Sequence, residues 1–268
     1  MLNLFQWNEQ QIFTFFFVFT RVASILLFLP IFGDRTVPST VKVLFSVALA
    51  WVCFPILWNR GAVVSPQVYQ TNAGILYSMG QELVIGAIIG YAARWVFEAV
   101  QFSGQVIGIS MGFSMASTLD PSSESQNIAL AELKYILTVM LFLALNGHHL
   151  YLSTIIESFR HVPLGAMHWF NKELDVIKFL TAMTSEIVII ALKLASPIIA
   201  VILLVNITFG LASRAVPQMN VFAVSFGANI IVGLFVVLVS LPAFTNLVTS
   251  LFDDFTPDLM KLVRLFGG

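Results

Sequence analysis

Apolar runs of about twenty residues recur along this chain of 268 residues. As a helix, each is long enough to cross roughly 30 Å of hydrocarbon. Six such runs are read, at 12–32, 41–58, 75–100, 128–145, 185–209 and 221–241. They fall into three close pairs. The first pair turns through 33–39, where Pro38 suits the start of the returning helix. The second is joined by a long Gly-, Ser- and Met-rich connection, 101–127, and the third by 210–220. A more polar section, 159–182, holds Arg160, Lys172, Glu173, Asp175 and Lys178. The expected organisation is therefore N-terminal hairpins over 1–158, a polar connection over 159–182 and a C-terminal hairpin and tail over 183–268. The fold class is all-α: membrane-protein helical hairpins, with helices broken at Pro30, Pro55, Pro197 and Pro242 and built into a larger helical assembly.

Composition excludes water as the main solvent. Only 10% of the residues are charged and 58% are hydrophobic, whereas a soluble domain carries roughly 25% charged residues. The missing charge means that apolar surface meets lipid or other apolar subunits. A formal net charge of -1, with no basic stripe, leaves nothing to hold a phosphate backbone and excludes nucleic acid as a partner. The single cysteine, Cys53, can form no internal disulfide and reads as a small hydrophobe. Residues 1–11 contain no Lys or Arg, so the first run is expected to stay in the mature protein. Basic residues fall near both sets of turns, which leaves the membrane orientation open.

Ionisable residues interrupt the apolar runs. Arg21, Lys42, Glu82, Arg94, Glu98, Glu132, Lys134, Glu186 and Lys193 lie within them or at their margins. One such group at the centre of a lipid-facing helix costs about 2.5–3.5 kcal/mol, so these groups must face protein or water. Arg94 and Glu98, four apart, are placed to pair on one helical face, and Glu132 with Lys134 to link neighbouring helices. Two readings stand: such pairs hold a bundle together, or they line a water-filled conduit or ion pathway.

Gly104, Gly108 and Gly112 are spaced by four and would give a helix a small-residue stripe for close approach. Met111, Phe113 and Met115 follow at once, and then Asp120-Pro121. Thioether chains adapt to irregular surfaces, so this segment can seal a pore and still move; the plainer reading is a tight helix contact followed by a loop. Gly108-Ile109-Ser110-Met111-Gly112 also fits the nucleophile elbow G-x-S-x-G, with His148, His149, His161 or His168 as a base. The elbow needs a strand before it, and an apolar helix stands there, so no enzyme is expected. His148-His149 has no carboxylate or Cys at ligand spacing and no Walker-type loop is present, so neither metal nor cofactor is expected. Arg-x-Val-Pro occurs at both 35–38 and 214–217, either as turn chemistry or as an echo of two related hairpins.

Several blocks carry a resemblance along nearly the whole chain. They are Arg21 with Pro30, Phe32-Gly33 and Val37-Pro38; Gly108, Met111-Gly112-Phe113 and Asp120-Pro121; Asn146-Gly147-His148-His149, Ser158-Phe159 and Pro163-Leu164-Gly165; and Pro217-Gln218-Met219-Asn220-Val221-Phe222. In their order and spacing the sequence resembles the FliR family of flagellar export-gate proteins, whose virulence-secretion relatives are the SctT proteins. The resemblance implies one copy of this subunit in a helical assembly with FliP and FliQ, with FlhB docked at its cytoplasmic side, in the bacterial inner membrane at the centre of the flagellar basal body. Unfolded exported proteins would pass through its lumen. The family's plug loop corresponds to the region from Gly104 to Pro121, including Ser110, Met111, Phe113, Ser114 and Met115. The competing readings are the equivalent export-gate subunit of a virulence type III secretion system and a stand-alone secondary transporter that couples ions through Glu82, Arg94 and Glu98.

Overall fold

The computed structural model describes residues 7–30, 32–33, 37–113, 129–165, 173–215, 218 and 220–267. These form nine helices and no strand among the described residues: α1 Glu9–Phe28, α2 Ser39–Asn59, α3 Pro66–Tyr69, α4 Asn72–Ala93, α5 Trp95–Met111, α6 Ala129–Ala144, α7 Gly147–His161, α8 Glu173–Ala215 and α9 Val221–Gly267. The local sequence sets their ends. The Asn8 N–H donates to the Gln11 side chain at 2.9 Å in front of α1, and the Thr71 hydroxyl accepts from the Gly74 N–H at 3.2 Å at the start of α4. Helix α1 stops at Leu29, directly before Pro30. Asn146 turns the chain from α6 into α7 with φ +57°, a left-handed conformation that asparagine tolerates. Helices α1, α2, α4, α8 and α9 are each long and apolar enough to cross a membrane, and α6 with α7 counts as a sixth if read as one broken span.

The helices are longer and differently divided than the hydropathy predicts. The run 75–100 is interrupted at Arg94. There the Tyr151 hydroxyl donates to the Ala93 carbonyl and the Arg94 N–H turns back to Tyr91 O at 3.0 Å, so the helical ladder stops. The connection expected from residue 101 is helical to Met111, and the polar section is helical from Glu173 onward, where Asp175 and Lys178 occupy an exposed face. The tail beyond 241 is helical as well. Phe255, Leu259, Leu262, Val263 and Phe266 recur there at helical spacing and are all buried. Pro55 and Pro197 lie inside continuous helices, and α9 runs through Pro242. At Pro197 the freed Lys193 carbonyl accepts from the Ser196 hydroxyl at 2.9 Å, so no break is needed.

Two compact units result, and neither is a consecutive stretch of chain. The first comprises 1–95, 146–183 and 254–268, and the second 96–145 and 184–253. This differs from the expected division at 159–182, because packing rather than chain order decides membership. In the first unit α1 packs against α2 and α4. Gly86 and Gly90 make the α1–α4 approach possible: a Cβ on Gly86 would stand 2.8 Å from Arg21 O, and one on Gly90 would stand 2.6 Å from Ile25 O. Trp7, Phe15, Trp51 and Phe54 form an aromatic cluster on the α1–α2 side. In the second unit Ile107, Met111, Leu130, Ala195, Ile198, Ile202 and Val237 form the core.

Candidate functional site

Arg21, in the middle of α1, is fully buried in the first unit, where an unpaired charge would be prohibitive. Its Nε donates to Glu82 Oε2 of α4 at 2.5 Å. Its Nη1 donates to Ser158 O at 3.1 Å and to Val162 O at 2.8 Å, and its guanidinium lies 4.6 Å from the Phe159 ring centroid. These carbonyls lie at the C-terminal end of α7, where Ser158 O also accepts from the Val162 N–H at 2.9 Å and the helix dipole favours a cation. The other Glu82 oxygen accepts from the Gly165 N–H at 3.0 Å. One ion pair thus ties α1, α4 and the end of α7 together. Ser158-Phe159 and Gly165, read in the sequence as parts of a signature, are the groups that receive the pair. Ser78 and Gln81, in the turn before Glu82, add buried polar atoms that meet no hydrogen-bond partner among the described residues, so this face of α4 is polar over about one turn.

The other charged positions differ. Lys134 is buried in the second unit, where its Nζ donates to Ser103 Oγ at 2.9 Å and lies 5.0 Å from the Phe244 ring centroid. Arg94 and Glu98 are half-buried, and the break at Arg94 leaves them on different helices: Arg94 caps the C-terminal end of α4, and Glu98 lies in the first turn of α5. Both positions suit the respective helix dipoles. Glu132, Glu186 and Lys193 are exposed, contrary to the expectation of buried charge. Among the described residues nothing covers those faces, where Leu133 and Leu192 are exposed too. Glu132 consequently does not join Lys134 in linking helices; Ser103 takes that place.

The glycine-rich segment is a helix end. Gly104 lets α5 approach α6, since a Cβ there would lie 2.5 Å from Ala131 Cα. The buried Gly108 carbonyl accepts from the Phe113 N–H at 2.9 Å, and the Gly112 N–H bonds to Ile109 O at 3.0 Å. With Gly112 at φ +91°, these two bonds make a Schellman cap. Ser110 sits within helix α5 and its hydroxyl donates to Val106 O at 2.8 Å, so G-x-S-x-G here is not the strand-to-helix turn of a hydrolase. Met111 is fully buried and fills a notch at Gly233 of α9, where a Cβ would stand 2.6 Å from its methyl carbon. Phe113 packs against the same core. Ser114, Met115, Asp120 and Pro121 lie outside the described residues, as do Pro217 and Met219.

Sequence reasoning missed the Gly86/Gly90 notch, for which four-residue glycine spacing was the available signal. It also missed Asn206 with Asn229, whose side-chain amides bond at 2.8 Å between α8 and α9. The apolar setting of Asn206 was that signal, because a lone amide there needs a partner.

Long apolar helices that enclose an ion pair and leave both apolar and charged faces open define a multi-span membrane protein. Residues 12–255 match the family model of the bacterial export proteins, family 1. The chain belongs to that family. It is similar to the flagellar biosynthetic protein FliR of Bacillus subtilis strain 168, 28% identical over 254 residues covering 94% of this chain and 95% of the relative. The protein of that name from Escherichia coli K12 is 28% identical over 242 residues, covering 90% and 88%. That from Aquifex aeolicus is 25% identical over 250 residues, covering 92% and 93%.

Proposed function

We propose that this chain is a core subunit of the flagellar type III protein export gate in the bacterial inner membrane, at the centre of the basal body. With FliP and FliQ it forms the channel for unfolded flagellar proteins, with FlhB docked on it. It catalyses no reaction. One observation carries this reading: Glu132, Glu186 and Lys193 are exposed on helices whose neighbouring residues Leu133, Ile189 and Leu192 are exposed and apolar. Lipid penalises those charges and water penalises those leucines, so the cover that suits both is other protein. The ion-coupling alternative is weakened at Glu82, since both of its carboxylate oxygens are already engaged.

The plug belongs to the same proposal. Gly104, Gly108, Ser110, Met111, Gly112 and Phe113 anchor it, and the sealing function falls to the following segment with Ser114, Met115, Asp120 and Pro121. Isolation in mild detergent, read by mass spectrometry, is expected to recover FliP and FliQ with this chain. Recovery of the chain alone from intact flagellated cells would sink the gate reading. Deleting residues 114–121 is expected to leave that complex assembled while making the membrane leaky to small ions; unchanged conductance would remove the plug.

A further inference from the structure

Helices α6, α8 and α9 line a partly open cavity of about 110 Å³ within the second unit. Two of its lining residues, Lys134 and Lys193, are basic, and none is acidic. We propose that this pocket receives a carboxylate carried by an apolar helix of a neighbouring subunit. The inference rests on the reading that other subunits surround this chain, and it names the chemistry of one contact.

Lys134 carries three N–H donors, of which Ser103 takes one, and Phe244 offers only a ring face. It makes no ion pair among the described residues. Lys193 on the opposite wall is exposed, and its ammonium likewise has no carboxylate there. Among the described residues, the acids nearest in sequence to the two lysines are badly placed. Glu186 precedes Lys193 by seven residues, roughly 10 Å along the helix axis. Glu132 is two positions from Lys134 and points away from it, since it is exposed while Lys134 is buried. Two lysines thus line one largely apolar pocket that holds no acidic residue among the described residues.

Size narrows the occupant. A water molecule takes about 30 Å³ of liquid volume, so the cavity has room for a carboxylate with part of its stem. Leu194, Pro197, Val237 and Leu241 line the remainder, which suits the apolar flank of a helix. The match is reciprocal, because an Asp or Glu on an apolar helix of a partner meets the same penalty that these lysines meet.

The test is carbodiimide coupling in the complex isolated in mild detergent. The reagent activates a carboxylate, and an amine in salt-bridge contact displaces the urea to form an amide. Peptide mass spectrometry is expected to find Lys193 or Lys134 joined to an Asp or Glu of a co-isolated subunit. Lys193→Arg should abolish the Lys193 product while the subunits still co-isolate. Lys193→Glu should lower their co-isolation by about tenfold or more. Coupling only to carboxylates of this same chain, coupling to a co-purified anionic lipid, or full co-isolation with Lys193→Glu would each overturn the proposal. Absence of any co-isolated subunit would instead overturn the gate reading beneath it.

Discussion

Arg21 shows what one charged residue does in an apolar helix when the fold is built around it. Its guanidinium is shared between a carboxylate on α4 and two carbonyls at the end of α7, with an aromatic ring against it. Removing one partner leaves the other charged and buried, which costs about 3–5 kcal/mol. Glu82→Ala and Arg21→Met are each expected to lower unfolding stability in detergent by that order. The double variant should lose clearly less than the sum, because the second change removes the charge that the first stranded. Thermal unfolding of the two single variants and the double one measures this. Strict additivity would mean that the two side chains do not act as a pair. Ser110 makes a contrast at the same scale. Its hydroxyl donates to the backbone of its own helix, so the part of Ser110 in anchoring the plug is its place in that helix and not its hydroxyl; Ser110→Ala should change neither stability nor export by a measurable amount, and loss of export would reopen the hydrolase reading.

At the scale of the helix, glycines decide how near two axes come. Gly86 and Gly80 lie on the same helix, yet a Cβ at Gly86 would meet Ser24 Cβ at 2.7 Å and one at Gly80 would meet nothing within 4 Å. Gly86→Ala is therefore expected to destabilise the protein by about 1–3 kcal/mol through overpacking. Gly80→Ala should be neutral, or stabilising by up to about 1 kcal/mol through helix propensity. Equal effects would show that α1 and α4 do not pack through this notch. Gly112→Ala tests the helix stop instead: at φ +91° a side chain costs roughly 1–2 kcal/mol, read as a loss of thermal stability in detergent. The same cases show what the sequence makes legible. The hydropathy places the apolar middles of the membrane-crossing helices but neither the first turns of α8 nor the tail of α9, since twenty apolar residues in a row leave few alternatives. It cannot place Arg94's break, where the Ala93 carbonyl accepts from Tyr151, distant in sequence. Arg21 and Glu82 are legible as charges that need partners, but their union rests on packing 61 residues apart. Met111 reads as a pliable gasket until Gly233 appears opposite it, and no local pattern announces such a pairing.

For the molecule as a whole, the question is what solvates its outer faces. Helix α9 exposes Ile231, Phe235, Leu238 and Val239, the last two adjacent and so on different sides of the helix. Helix α8 exposes Leu203, Leu204, Ile207 and Leu211 together with Glu186 and Lys193. A membrane alone would solvate the first set and penalise the second. Partner helices would satisfy both, and on the proposed reading stability is a property of the assembly rather than of the chain. Partners that bind the folded form at a hundred times their dissociation constant stabilise it by about 2.7 kcal/mol, which for a chain of this size corresponds to roughly 5–10 °C. The chain purified with co-expressed FliP and FliQ is thus expected to unfold that much higher than the chain purified alone in the same detergent. The lone chain should also spread into several species on size exclusion. A lone chain that is monodisperse and equally heat-resistant would mean that its charged faces are satisfied without neighbours, which would remove the physical reason for placing it in a gate.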